Sequence, residues 1–299
     1  MNKPFFSVVI PTYNRAGFVR HAIDSVLQQS FREFEVIVVD DGSTDETGAI
    51  VKSITDPRVK YFRKANGERA SARNFGVDQS QGAYINFLDS DDSQYPHHLQ
   101  TAYDFLTTNS VDVVHLGYDM KSPEGKLLRT VEKIKSISRQ ILSGNVLSCN
   151  GVFARREVLL ANPFNTDRGL SSLEDWELWI RLAARYSFHH VEAVTSTVID
   201  HEQRSVVSGH AASIERKVNL LIKYATSDVT NIDHYGNQLS QVSASAHTYA
   251  ALHLRMAGAP VRDSVRHFLH AIRVSPGVLF TRRSAVIILM ILGIKRKPR

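Results

Sequence analysis

One cysteine, Cys149, stands among 299 residues, so no internal disulfide forms and the thiol-rich zinc centres are excluded. A reducing compartment is the expectation. Long apolar runs are also missing: the longest, Ala285 to Ile294, is half of the roughly 20 residues a membrane-spanning helix needs. The opening MNKPFFSVVIPTYN has no small-residue cleavage site, so no signal peptide is expected and the body is placed in the cytoplasm. With 43% apolar and 22% charged residues, and 9 Pro and 16 Gly scattered along the chain, it is neither disordered, collagen-like nor a coiled coil. Acidic residues disappear after Thr281, where Arg282, Arg283, Lys295, Arg296, Lys297 and Arg299 stand without one. The remaining 30 basic residues balance the 30 acidic ones, so the net charge of +6 belongs to the tail. Basic residues gathered at one end, without interleaved aromatics, argue against a nucleic-acid partner.

What is present alternates. Phe5 to Ile10 is an apolar run of strand length, and Phe18, Ala22, Ile23, Val26 and Leu27 then recur at helical spacing. Val36 to Val39 ends in Asp40-Asp41-Gly42, where Ser43 or Thr44 can cap a helix with Asp45 and Glu46 in its first turn. Val59 to Phe62, Ser71 to Gln79, Ala83 to Leu88 and His97 to Thr107 continue the strand–helix pattern. The expectation is a mostly parallel α/β sheet with helices on both faces. Beyond Val111 the periodicity loosens, although Ser172 to Tyr186 reads as one amphipathic helix. After Ser205 three helices follow, 214–224, 239–257 and 261–274, of which the last two form a hairpin like a single tetratricopeptide-type repeat.

Open α/β sheets bind ligands at the carboxyl ends of their strands. Three polar segments gather there: Pro11 to Arg15, Asp40 to Ser43, and Asp89 to Asp92. On a continuing strand, Asp89 and Asp91 share a face but their β-carbons stand about 7 Å apart, so gripping one ion together requires the chain to curl. A hard divalent cation commonly takes one or two protein carboxylates and completes its shell with water and phosphate. The acidic positions therefore divide their labour.

SVVIPTYNR, VIVVDDGSTDET, NGERASARNFG, INFLDSDD and LEDWELWIRL, in this order, resemble the glycosyltransferase family 2 pattern over about residues 5 to 205. That family is inverting and has the GT-A fold, a Rossmann-like, mostly parallel sheet. The division expected is a GT-A domain over 1–210 and a helical region over 211–299 ending in a basic amphipathic tail. The resemblance implies that Pro11, Thr12 and Tyr13 line a nucleotide pocket, with Tyr13 against the base and Asp41 accepting from a uracil ring. Arg73 would lie near the base or the diphosphate. Asp89-Ser90-Asp91 matches the DXD motif, with Asp91 a direct ligand of Mn²⁺ or Mg²⁺ and Asp89 reaching the ribose or a metal-bound water. Asp175 matches the catalytic base. His201, in VIDHEQRSVVSG, matches a histidine near the diphosphate and is placed with the metal site, with Arg204 nearby.

The implied activity is metal-dependent transfer from a nucleotide-sugar donor, a UDP-sugar, to a hydroxyl of a glycan or lipid-linked acceptor in cell-surface polysaccharide assembly. Peripheral membrane contact on the inner face, through the basic tail, goes with it. The alternative is a non-catalytic nucleotide-sugar or carbohydrate binding module. A nucleotidyltransferase is disfavoured because PTYNRAG stands where a Gly- and Lys-rich phosphate loop would. Plainer readings exist for single residues: helix-dipole complement for Glu174 and Asp175, an ion pair with an acidic neighbour on a helix for Arg73, ordinary packing for Tyr13. The pairs His97-His98 and His189-His190 are given no ligand role, since adjacent side chains diverge.

Overall fold

β1 (Phe6–Thr12) and β2 (Phe34–Asp40) are buried at every residue, as central parallel strands covered on both faces must be. The computed structural model describes residues 3–201 and 211–294. β2 also pairs in parallel with β3 (Val59–Arg63), and β1 with β4 (Tyr84–Phe87). The polar side chains inside this stack are matched: Ser7 Oγ donates to Glu35 at 2.6 Å, and Lys60 Nζ meets the other Glu35 oxygen at 2.6 Å.

These strands alternate with α1 (Val19–Leu27), α2 (Thr47–Lys52) and α3 (Glu68–Gln79). α2 starts later than the sequence pattern suggests, because Asp45, rather than Ser43 or Thr44, accepts from the Thr47 amide at 3.0 Å. α3 lies very close to β1. A β-carbon added at Gly76 would land on the Val9 Cγ1 methyl and stand 3.2 Å from Cγ2.

The second half of the sheet is mixed, adding β5 (Ser93–Gln94), β6 (Val113–Lys121), β7 (Leu127–Val131), β8 (Val152–Arg155) and β9 (Phe188–Ile199). The order is β3-β2-β1-β4-β8-β6-β9-β5, with β7 on β6. β8 is antiparallel to β4 and β6, whereas β9 runs parallel to β6. α4 (His98–Thr108), the single-turn α5 (Ile137–Gln140) and α6 (Arg156–Ala161) complete this stretch. The main core joins Val8, Ile10, Ile23, Val36, Leu99 and Phe153.

The chain divides into two compact units: residues 1–137, 146–168 and 186–201 in the first, and 138–145, 169–185 and the C-terminal helices in the second. The second unit contains α7 (Glu174–Arg185), α8 (Ala211–Ser227), α9 (Val229–Tyr235), α10 (Ser240–Met256), α11 (Val261–Val274) and α12 (Arg282–Ile291). α10 packs against α8, α11 and α12, with Ala251, Phe268 and Ile287 buried together. Asp228 caps α9 by accepting from the Asn231 amide at 2.9 Å and pairs with Arg185 at 2.6 Å. Among the described residues, no helix is long and apolar enough to cross a membrane.

Candidate active site

The loops after β1 and β2 are laced together. Asn14, held at φ 50°, donates its amide to Ser43 Oγ at 2.9 Å and accepts from the Thr44 amide at 2.8 Å. The Arg15 amide donates to Thr47 Oγ1 and the Ala16 amide to Asp45, at 2.9 and 3.1 Å. Pro11 and Thr12 lie buried at the end of β1, and the Thr12 carbonyl accepts from the Asp41 amide at 2.9 Å. Tyr13 is 47% exposed, so ordinary packing does not account for it.

Asp40 and Asp41 point into different networks. Asp40 accepts from the Ser43 amide at 2.8 Å and from Tyr61 Oη at 2.6 Å. Burial, and then that bond to a carboxylate, push the Tyr61 phenol up to about 12. Asp41 accepts from Lys64 Nζ at 2.7 Å and from the Gly67 amide at 2.9 Å, both on Oδ1. Its Oδ2 takes the same amide at 3.1 Å, so acceptor capacity is left on that oxygen for a ligand donor.

β4 ends at Phe87, and the Asp92 amide donates to the Asp89 carbonyl at 3.0 Å, closing a turn. The acidic run is therefore curled, and its members separate by partner. Asp89 accepts from Arg73 Nη2 at 2.7 Å; Arg73 comes from α3, is 1% exposed, and lies 5.2 Å from the Phe164 ring centre. Asp91 Oδ2 stands 3.1 Å from His201 Nε2 and 3.7 Å from Arg15 Nε. The His201 ring stacks on Phe18 with centres 5.0 Å apart.

Asp92 is the anchor. Its buried carboxylate accepts from Asn150 Nδ2 at 2.8 Å and from the Ile199 amide at 2.9 Å, which ties the acidic turn to the end of β9, two residues before His201. Burial first, then the charges of Asp91 and Asp89, hold its carboxyl well above the ordinary range. Asn150 continues the network by accepting from the Asp89 amide at 3.2 Å. Sequence reasoning marked the segments holding Arg15 and Asp92 without giving either a role, and missed Asn150. Asp92 stood inside a motif it had marked, but no local signal connects Asn150 or the strand before His201 to it.

The donor set suits a divalent ion. Ligands at adjacent corners of an octahedron with bonds of about 2.1 Å stand about 3.0 Å apart, and Asp91 Oδ2 and His201 Nε2 are in direct contact at 3.1 Å. His201 Nδ1 is buried without a hydrogen-bond partner among the described residues, so the ring is held by stacking and by its Nε2 contact. Among the described residues no cluster of three or more His, Cys, Asp or Glu is arranged to hold a metal. An ion held by this pair therefore completes its shell with water or ligand phosphate.

Asp175 belongs to the second unit, in the first turn of α7. Its Oδ2 accepts from Asn145 Nδ2 at 2.8 Å and its Oδ1 from the Trp176 amide at 2.8 Å. The Trp176 indole in turn donates to the Ile141 carbonyl at 2.7 Å, fixing the start of α7 on the segment that carries Asn145. Arg204, together with Lys295, Arg296, Lys297 and Arg299, lies outside the described residues.

The first unit thus brings a carboxylate–imidazole pair and the Arg73–Asp89 ion pair to the carboxyl ends of its strands, with the exposed Tyr13 after β1. An uncharacterized glycosyltransferase of Rickettsia bellii is 36% identical over 189 residues, 60% of this chain and 26% of that protein. The hyaluronan synthase of Pasteurella multocida is 26% identical over 236 residues, 78% of this chain and 24% of that one. Of the first three curated relatives the matched region covers only 26 to 33% of their length. The structure of S. aureus TarS 1–349 in complex with UDP aligns with TM-score 0.67 at 21% identity, over 97% of this chain and 87% of that one. The mannosyltransferase PcManGT from Pyrobaculum calidifontis, in complex with GDP-Man and Mn²⁺, aligns with TM-score 0.59 at 19% identity, over 98% and 88%. The shared architecture is the GT-A fold. Residues 7–164 match the glycosyl transferase family 2 profile, and the chain belongs to that family.

Proposed function

We propose that this chain transfers a sugar from a UDP-sugar to a hydroxyl of a glycan or lipid-linked acceptor, with inversion at the anomeric carbon, in cell-surface polysaccharide assembly. The observation that carries the reading is the 3.1 Å approach of Asp91 to His201 at the end of the sheet. In this reading Asp91 and His201 hold Mn²⁺ or Mg²⁺, which when bound neutralises charge developing on the departing diphosphate. Arg15, 3.7 Å from Asp91, adds positive charge at the same place. Tyr13 lies against the base, with Pro11 and Thr12 beside it, and Asp41 accepts from the uracil ring through its less occupied oxygen. Arg73 fixes Asp89, which reaches the ribose or a metal-bound water.

The acceptor hydroxyl must lose its proton as it attacks from the face opposite the leaving group. Asp175 takes that proton, and Asn145 orients its carboxylate. With one base and no second nucleophile, a single displacement inverts the centre. The relatives and the fold neighbours, which bind UDP or GDP-Man, support a nucleotide-sugar donor. Membrane contact is peripheral, through Phe280, which is 93% exposed, with the exposed Leu279 and Leu292, and the neighbouring Arg282 and distal basic residues.

A panel of nucleotide sugars tests this, read by transfer and by NMR of the product. The expected result is an inverted linkage formed from a UDP-sugar, with Asp175→Asn abolishing transfer while UDP still binds. A retained configuration, or wild-type turnover in that variant, contradicts the assignment.

A further inference from the structure

The second unit contains a cavity of about 240 Å³ lined by Ser143, Gln241, Ser245, Thr248, Thr281 and Arg283, among others. The Arg283 guanidinium is its one charged lining group. Nη1 donates to the Ser245 carbonyl at 3.3 Å and to Thr248 Oγ1 at 3.1 Å, both neutral acceptors. Gly144 passes so close that a β-carbon there would stand 3.2 Å from Nη2. Among the described residues no carboxylate forms an ion pair with Arg283, and burial holds its pKa below the ordinary guanidinium value.

This is an unbalanced arrangement. A guanidinium carries five donors and a fixed charge, and neutral oxygens satisfy donors without cancelling charge. Arg282 and Arg283 also occupy the first turn of α12, where no acidic residue is present and the helix dipole is positive. Ser143 and Gln241 line the same space, which is large enough to admit an oxyanion. The cavity also adjoins the segment that holds Asp175: Ser143 lines it two residues before Asn145, whose side chain donates to Asp175 Oδ2 at 2.8 Å. The Tyr249 phenol is pushed up to about 12 by burial, and then by Asp175 and Glu174, while Arg283 acts on it in the opposite direction.

We propose that this cavity binds an acidic group of the acceptor, a carboxylate or a phosphate, with Arg283 as its counter-ion. The assignment to the acceptor rests on the glycosyltransferase reading; the oxyanion site itself does not. An acceptor anchored there presents its hydroxyl groups to the unit that carries Asp175, and a neutral glycan forgoes the anchor.

The test is isothermal titration of the full chain with glucuronate and with glycerol phosphate, at ionic strength matched by sodium chloride, beside the Tm in each. At least one anion is expected to bind saturably and raise the Tm. Binding is expected to weaken roughly tenfold or more in Arg283→Gln, the loss of one charge-assisted contact. Gln241→Glu keeps the arginine and places a carboxylate in the cavity. It is expected to abolish anion binding and raise the Tm in anion-free buffer. A preference for glucuronate identifies a sugar-acid acceptor, and a preference for glycerol phosphate a phosphodiester one. No binding beyond chloride, or equal binding in both variants, overturns the proposal. UDP titration in parallel separates the two readings: anion binding without UDP binding leaves the cavity standing and removes the donor site, and the converse removes only the cavity.

Discussion

Gly76→Ala probes how tightly α3 is seated against β1. The added methyl would land on the Val9 Cγ1 methyl and stand 3.2 and 3.3 Å from its Cγ2 and Cβ, so α3 must move off β1 or Val9 must leave its rotamer. Val9 is fully buried in β1, which leaves it little freedom. Overpacking of this kind costs about 1–3 kcal/mol, against about 1 kcal/mol gained from helix propensity. A net loss of up to about 2 kcal/mol is expected in urea denaturation. Because α3 carries Arg73, bonded to Asp89 at 2.7 Å, the same displacement should weaken UDP binding. Val9→Ala makes room at its own cost of about 2 kcal/mol. The double variant should then be more stable than the sum of the two single losses by about 1 kcal/mol or more. Additivity to within about 0.5 kcal/mol would refute the claimed contact.

Two further outcomes follow from burial and charge. His98 is held at about 3, and His247 and His253 at about 4, burial being the main cause at each and neighbouring positive or imidazole groups the next. All three stay neutral in the folded chain where the unfolded chain takes up protons. Their contribution is complete above about pH 6.5 and is lost as pH falls toward 4, and a His98→Gln variant should flatten the Tm profile over that range. Phe280→Ser combined with Leu292→Ser, both at exposed positions, should release the chain from anionic vesicles in a flotation assay; unchanged partitioning rules this contact out.

How much of this was legible in the sequence depends on how local the determining interactions are. The β1–β4 region was readable because each buried parallel strand is a continuous apolar run followed by helical spacing. The second half was not, since β6, β8 and β9 interleave antiparallel and parallel neighbours whose pairing no local pattern encodes. Likewise, segments 138–145 and 169–185 group with the C-terminal helices, although nothing in their composition separates them from the residues around them. The acidic run stood out at once as a site, but its division of labour came from distant partners. Arg73 is 16 residues from Asp89, and His201 is 110 from Asp91. Arg73 does form an ion pair, but with Asp89 in the turn after β4 rather than with an acidic neighbour on a helix.

The central claim is that Asp91 and His201 together create the cation-dependent hold on the donor diphosphate. Calorimetric titration of UDP with and without Mn²⁺ tests it directly in the wild type, Asp91→Asn and His201→Asn. Mn²⁺ should tighten UDP binding in the wild type by about tenfold or more, and either substitution should remove that gain while metal-free binding changes little. Full Mn²⁺ enhancement in Asp91→Asn would contradict the account.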